Sequence, residues 1–208
     1  MGARGRVLAT LLCCVVTAPL VSGCFRRQFP ERRQYVVNVE RSAAVRTGAN
    51  MVVKVGRVRA EPQYERKGFV YRTGELTYAD DFYNAFYVSP AQMVRSTLQQ
   101  WLVASGLFAT VADVDSLVGA EWLLESRLLD FYIDRRSTDE RAVVRLAVTL
   151  VDATRSPPRA TFERTYEETA SASDRGKAYV DAWGEALTNV YARLEADLAA
   201  LPSPPRAR

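Results

Sequence analysis

Residues 141–152 read RAVVRLAVTLVD. Val144, Leu146, Val148 and Leu150 fall on one side of an extended chain, and Arg145, Ala147 and Thr149 fall on the other. One apolar and one wetter face is the pattern of a strand in an antiparallel sheet, because parallel strands are covered on both sides. Two further β-rich runs flank it, EWLLESRLLDFYI (121–133) and RATFERTYEET (159–169), with RSPP (155–158) as the intervening turn. Two segments carry helical periodicity instead. SPAQ (89–92) offers an N-cap serine, a proline at the first helical position and Gln92 three residues on, a capping-box arrangement. Val94, Leu98, Trp101 and Leu102 then form a stripe that Gly106 ends. From about 175 to 200, Tyr179, Trp183, Ala186, Leu187, Val190, Leu194 and Leu198 trace one face. Both stripes need an apolar partner, and the sheet is the large one available. The expected fold is therefore α+β: a single domain, mostly antiparallel β-sheet with two amphipathic helices packed on it.

Toward the N-terminus, YVVNVE (35–40) and MVVKVGRV (51–58) are β-rich. GFVYRTGELTYA (68–79) reads as two strands around a turn at Thr73-Gly74. YADDFYNAFYV (78–88) gathers Tyr78, Phe82, Tyr83, Phe86 and Tyr87. Its spacing suits a strand or a helical face. Two readings stand: the five aromatics contact a protein partner or lipid, since tyrosine is enriched at interfaces, or they cover the sheet as core.

At 208 residues, 48% apolar and 25% charged, the chain has the composition of a globular domain. It contains no histidine. That removes Ser-His-Asp and Cys-His catalysis and histidine-ligated metal sites. It leaves carboxylate and Ser-Lys chemistry open. Asp80-Asp81 and Asp113-x-Asp115 have no second cluster and read as loop carboxylates; Arg57, Arg59 and the Tyr71-Arg72 pair read as solvated strand faces or as contacts to acidic groups on a partner. No catalytic residue and no metal ligand is assigned. Setting aside Arg4 and Arg6 leaves 26 basic residues against 24 acidic ones, too even a balance for a nucleic-acid binder.

The three cysteines all lie in the first 24 residues. MGARGR is short and positive, and VLATLLCCVVTAPL (7–20) is apolar but shorter than the roughly 20 residues that span a bilayer. This is an export-signal pattern. Val21, Ser22, Gly23 and Cys24 follow, and they resemble the lipobox of bacterial lipoproteins. The resemblance implies signal-peptidase recognition at Val21, Ser22 and Gly23, cleavage before Cys24, and acylation of Cys24. Two or more acyl chains anchor a protein stably where one does not. Phe25, rather than aspartate, follows the cysteine. By the enteric sorting rule this points to the outer membrane, facing the periplasm, over the inner membrane. The expected organisation is signal peptide 1–23, lipidated tether 24–34, folded domain 35–200 and a proline-rich disordered tail 201–208. The tether carries Arg26, Arg27, Arg32 and Arg33, which read as a solvated linker or as contacts to anionic head groups.

Several stretches resemble the ABC-type transport auxiliary lipoprotein family, which includes the outer-membrane lipoprotein of the paraquat-inducible system. They are Tyr35-Val36-Val37, the run VGRVRAEPQYERKGFVYRTGELTY (55–78), the helix bearing Trp101 and the closing EADLAAL (195–201). The chain departs from the family pattern at Val37, where leucine is usual, and at Phe86-Tyr87-Val88, where many relatives carry tryptophan. The resemblance implies a non-catalytic accessory of an ABC transport system built on a mammalian-cell-entry (MCE) protein, with a separate ATPase and permease. The chain lacks the GxxxxGK[ST] loop and the multi-span pattern those two subunits need. The implied partners are the membrane, through the lipid on Cys24, and an MCE-domain protein; a homo-oligomer is left open. No cofactor beyond that covalent lipid is expected. The alternative is a lipoprotein that itself carries an apolar ligand between sheet and helices.

Overall fold

The stretch 141–152 forms β7 (Arg141–Asp152), the strand on which the sheet is built. It pairs antiparallel with β6 (Trp122–Asp134) on one side and β8 (Arg159–Ser171) on the other, with Leu146 opposite Leu128 and Tyr166. Val144, Leu146, Val148 and Leu150 are buried while Arg145, Ala147 and Thr149 stay half-exposed, as the alternation predicts. The computed structural model describes residues 31–45, 50–172 and 176–201. Val21, Ser22, Gly23, Cys24, the tether up to residue 30 and the tail from residue 202 lie outside the described residues. The described residues from Arg32 onward form one compact unit.

The other edge of β6 is shared by two strands. β2 (Val52–Ala60) runs along its first half, and β3 (Gly68–Arg72) meets its far end at Ile133 and Asp134. Both run parallel to β6. Between them the chain makes a short 3-10 turn, Pro62–Tyr64, and the Glu61 N–H donates to the Leu128 carbonyl. β4 (Tyr78–Phe86) returns antiparallel along β3, and β1 (Arg33–Tyr35) lies parallel to the end of β4. A short strand not foreseen from sequence, β5 (Thr110–Asp113), lies parallel to β2. The two longest ladders, β6–β7 and β7–β8, are antiparallel, so the eight-stranded sheet is mixed but mostly antiparallel. Parallel pairing needs a crossover, and helix α1 (Pro90–Ser105) supplies one by carrying the chain from β4 to β5.

The start of α1 follows its sequence signals. The Ser89 side chain accepts from the Gln92 N–H, Pro90 is the first helical residue, and Gly106 closes the helix at φ +64°. That left-handed conformation costs glycine nothing. Helix α2 (Lys177–Ala200) packs on β7 and β8, and α1 packs on β2. All seven residues of the α2 stripe are buried. Trp183 lies at the centre, stacked on Phe131 at 5.1 Å and edge-on to Phe69 and Phe86. The helices meet where the Tyr191 hydroxyl donates to the Val94 carbonyl and lies 2.9 Å from Thr97.

Two local expectations change. YVVNVE is not a strand beyond Tyr35. Its alternation is real, with Val37 and Val39 turned inward and Val36 and Asn38 outward, but the segment lies across α2. Gly184 makes this possible: a Cβ there would sit 2.4 Å from the Asn38 carbonyl oxygen. Arg41 then pairs with Glu195 of α2 at 2.9 Å, both side chains nearly buried, and the Trp101 indole N–H donates to the same carboxylate at 2.8 Å. YADDFYNAF is strand β4 and not a helix.

Candidate functional site

β4 begins after a tight turn in which the Thr73 and Gly74 N–H groups donate to the Thr77 carbonyl. Arg72, at the end of β3, donates to the Glu75 carbonyl and to the Tyr132 hydroxyl. Its guanidinium stands 5.9 Å from the ring centres of both Tyr78 and Tyr132. This holds Tyr78 edge-on to Tyr132 on the sheet face turned away from the helices.

The middle of β4 is shaped by Asp81. Its carboxylate accepts from the N–H groups of Tyr83 (2.7 Å) and Asn84 (2.9 Å), from the Asn84 side-chain amide (2.7 Å) and from the Tyr71 hydroxyl (2.6 Å). Burial alone would raise this carboxyl; the four donors outweigh it and hold it below the usual carboxylate range. Burial, reinforced by the bond to Asp81, pushes the Tyr71 hydroxyl well above its ordinary value. By capturing two backbone donors, Asp81 makes a bulge. Gly68 and Val70 of β3 face Ala85 and Asp80 of β4, so a two-residue step opposes a five-residue one. The three extra residues are an odd number. On an unbroken strand Tyr78, Phe82 and Phe86 would share a face; the bulge turns Phe86 inward.

The five aromatics are therefore split. Phe86 is 1% exposed and packs on Phe69 and Trp183, so it is core and cannot contact a partner or lipid. Phe82 is 78% exposed, Tyr87 62%, Tyr78 45% and Tyr83 43%, so the covering role fails for these four. Phe82 and Tyr83 meet edge to face at 5.3 Å, and Leu76 in the preceding turn is also exposed. β1 pairs only with Asn84, Ala85 and Phe86. Among the described residues no strand covers the outer edge of β4 from Tyr78 to Tyr83. Tyr87 is fixed by its N–H, which donates to the Tyr35 carbonyl, and by the Lys67 ammonium on its own carbonyl.

The other carboxylates are engaged separately. Asp80 is exposed, Asp113 pairs with Arg95, and Asp115 lies 3.5 Å from Arg57. A hydrogen bond from the Asp115 N–H, followed by the Arg95 charge, keeps the Asp113 carboxyl low. Among the described residues no three potential ligands are arranged to hold a metal ion. Tyr71 points into the core, whereas Arg72 serves the aromatic edge.

A second feature escaped the sequence reading. A groove of about 740 Å³ lies on the open sheet face, lined by Gly56, Arg57, Arg59, Glu125, Arg127 and Glu163 among others. The lining comes from β2, β6, β7 and β8 and from the residues after β5, so only strand pairing brings it together. Between sheet and helices, by contrast, Trp183, Phe69, Phe131 and Tyr166 are fully buried.

No family model matches the sequence, and no curated protein matches it. Solved structures do match. Protein XCC0632 of Xanthomonas campestris, from the DUF330 family, superposes with a TM-score of 0.68 at 18% identity, covering 78% of this chain and 92% of that one. An uncharacterized protein gives a TM-score of 0.59 at 16% identity, over 81% and 97%. Weaker matches include the PelC dodecamer of Paraburkholderia phytofirmans (TM-score 0.45, 16% identity, 76% and 93%) and lipoprotein GNA1162 of Neisseria meningitidis (0.33, 10%, 71% and 99%). At these identities the likeness is one of fold. Among the described residues no helix is long and apolar enough to cross a membrane.

Proposed function

We propose that this chain is a lipoprotein anchored through Cys24 to the outer membrane and facing the periplasm. It serves, without chemistry of its own, as an accessory subunit of an MCE-type ABC transport system for lipid or another apolar substrate. The observation that carries a contact role is the uncovered aromatic edge of β4, on a domain whose polar side chains largely neutralise one another. Arg127–Glu61, Arg135–Glu140, Arg164–Asp197 and Arg193–Glu168 are ion pairs of this kind. The anchor and the transport setting rest on the lipobox-like Val21–Cys24 and on the family resemblance over most of residues 34–200. The fold likeness to the Xanthomonas protein is compatible with that setting. The alternative role as a carrier draws no support from the sheet–helix layer, where Trp183, Phe69, Phe131 and Tyr166 are fully buried.

Mechanistically, acyl chains on Cys24 confine the domain to a membrane surface. Confinement raises its effective concentration for a membrane-bound partner without any new contact. Affinity capture of the tagged chain from detergent-solubilised envelopes tests the reading. An MCE-domain protein, with its ATPase and permease, is expected in the eluate. Recovery of none of the three overturns it.

A further inference from the structure

The exposed aromatics and β1, the first described strand after Cys24, share one edge of the sheet. Arg33, Gln34 and Tyr35 pair in register with Asn84, Ala85 and Phe86, so the polypeptide enters the domain beside Tyr83 and Tyr87. Nine positions separate Arg33 from Cys24. Fully extended, they reach about 30 Å. Resting on the proposed acylation of Cys24, this reach keeps the β4 edge within one short tether of the head groups. The chemistry of the edge suits that place. Tyr78, Tyr83 and Tyr87 join an apolar ring to a polar tip, the character that concentrates aromatic residues at membrane–water interfaces. Phe82 and Leu76 add the most exposed apolar surface of this edge. In sequence, Arg26, Arg27 and Arg32 precede Arg33 of β1 with one acid, Glu31, among them, and Arg66 and Lys67 immediately precede β3. Basic residues at this distance favour an anionic surface.

We infer that the β4 edge seats in the interface of an anionic phospholipid bilayer, Phe82 foremost, so that the lipid anchor and the aromatic edge hold the domain in one orientation. A tether alone would let the domain rotate. A second contact on the strand beside the entry point restricts that rotation and leaves the open sheet face with its groove accessible to a periplasmic partner.

The mature acylated chain has no free thiol, so Phe82→Cys introduces a single labelling site at an exposed position that folding does not need. Leu117→Cys, at a fully exposed loop position after β5 at the opposite end of the strand order, is the control. Each mature protein is purified from membranes, labelled with the environment-sensitive fluorophore NBD, and reconstituted in vesicles of phosphatidylethanolamine and phosphatidylglycerol. At position 82 a blue shift, a rise in emission and quenching by spin-labelled lipid are expected, with none of these at 117. Equal, water-like emission at both positions overturns the inference, as does a change at 82 that appears only when envelope proteins are added. Mass spectrometry of the same samples separates the two readings. One label and an acylated leading peptide uphold the anchor, so a water-like signal then fails the edge alone. Two labels and an unmodified Cys24 defeat the anchor, and vesicles added to that protein still decide where position 82 lies.

Discussion

Replacing Gly184 by alanine tests how the N-terminal strap is held. Two effects oppose each other. Glycine inside a helix costs about 0.8–1.0 kcal/mol relative to alanine, so in open space the change would stabilise α2. Here the added Cβ would stand 2.4 Å from the Asn38 carbonyl oxygen. Ordinary contact begins near 3.4 Å, so the strap must retreat by about 1 Å. It is not free to do so. Val37 is 2% exposed, and the Arg41–Glu195 pair ties the segment to α2 on the far side of Asn38. Burying a valine contributes about 1.5 kcal/mol or more, and overpacking a fitted contact typically costs about 1–3 kcal/mol. Subtracting the helix gain from the clash leaves a net loss of up to about 2 kcal/mol. With a urea slope of about 2 kcal/mol/M, the unfolding midpoint falls by up to about 1 M. Gly119→Ala, where an added Cβ meets nothing within 4 Å, should leave the midpoint nearly unchanged. A second arm isolates the strap: with Val37→Ala already present, Gly184→Ala should cost less, because the two residues act through one contact. A midpoint for Gly184→Ala at or above that of the parent would refute the reasoning.

Two further outcomes follow from the buried charges. Asp81→Asn should lower the urea midpoint at pH 7, and the gap to the parent should narrow as pH falls below about 4. The Asp81 carboxyl lies lower folded than unfolded, so its contribution is present above the unfolded value of about 3.9 and is lost as pH falls through the folded one; a gap that persists undiminished at pH 3 would assign the loss to shape instead. Arg41→Ala removes one partner of the buried Glu195 carboxylate and should cost up to about 3–5 kcal/mol. Adding Glu195→Gln to Arg41→Ala should return part of that loss in the same titration, because it removes a buried charge that has lost one of its partners.

The aromatic edge shows where reading a sequence stops. Five aromatics between Tyr78 and Tyr87 mark the segment at once. Their fate depends on a bulge that one carboxylate makes by gathering four donors, one of them from Tyr71 on the neighbouring strand. Asp80 and Asp81 look alike in sequence, yet one is solvated and the other builds the bulge. Phe82 lies within that bulge and is exposed, whereas Phe86 follows it and is buried. The groove on the open face is hidden for a related reason, since its lining comes from strands far apart in the chain.

Periodicity is a local property, and where it is strong the sequence alone settled the element. The alternation of Val144 to Leu150, the stripe from Val94 to Leu102 and the stripe from Tyr179 to Leu198 state which face is buried before any partner is known. The N-cap at Ser89 and the stop at Gly106 are equally local, each closing hydrogen bonds within a few residues. What lies against those faces is not local. Val37 and Val39 alternate as a strand would, but they cover a helix, because Gly184 leaves room for the Asn38 carbonyl. The split of β6 between β2 and β3, the parallel seat of β5 and the uncovered edge of β4 are decided only when distant segments compete for the same backbone donors and the same apolar surface.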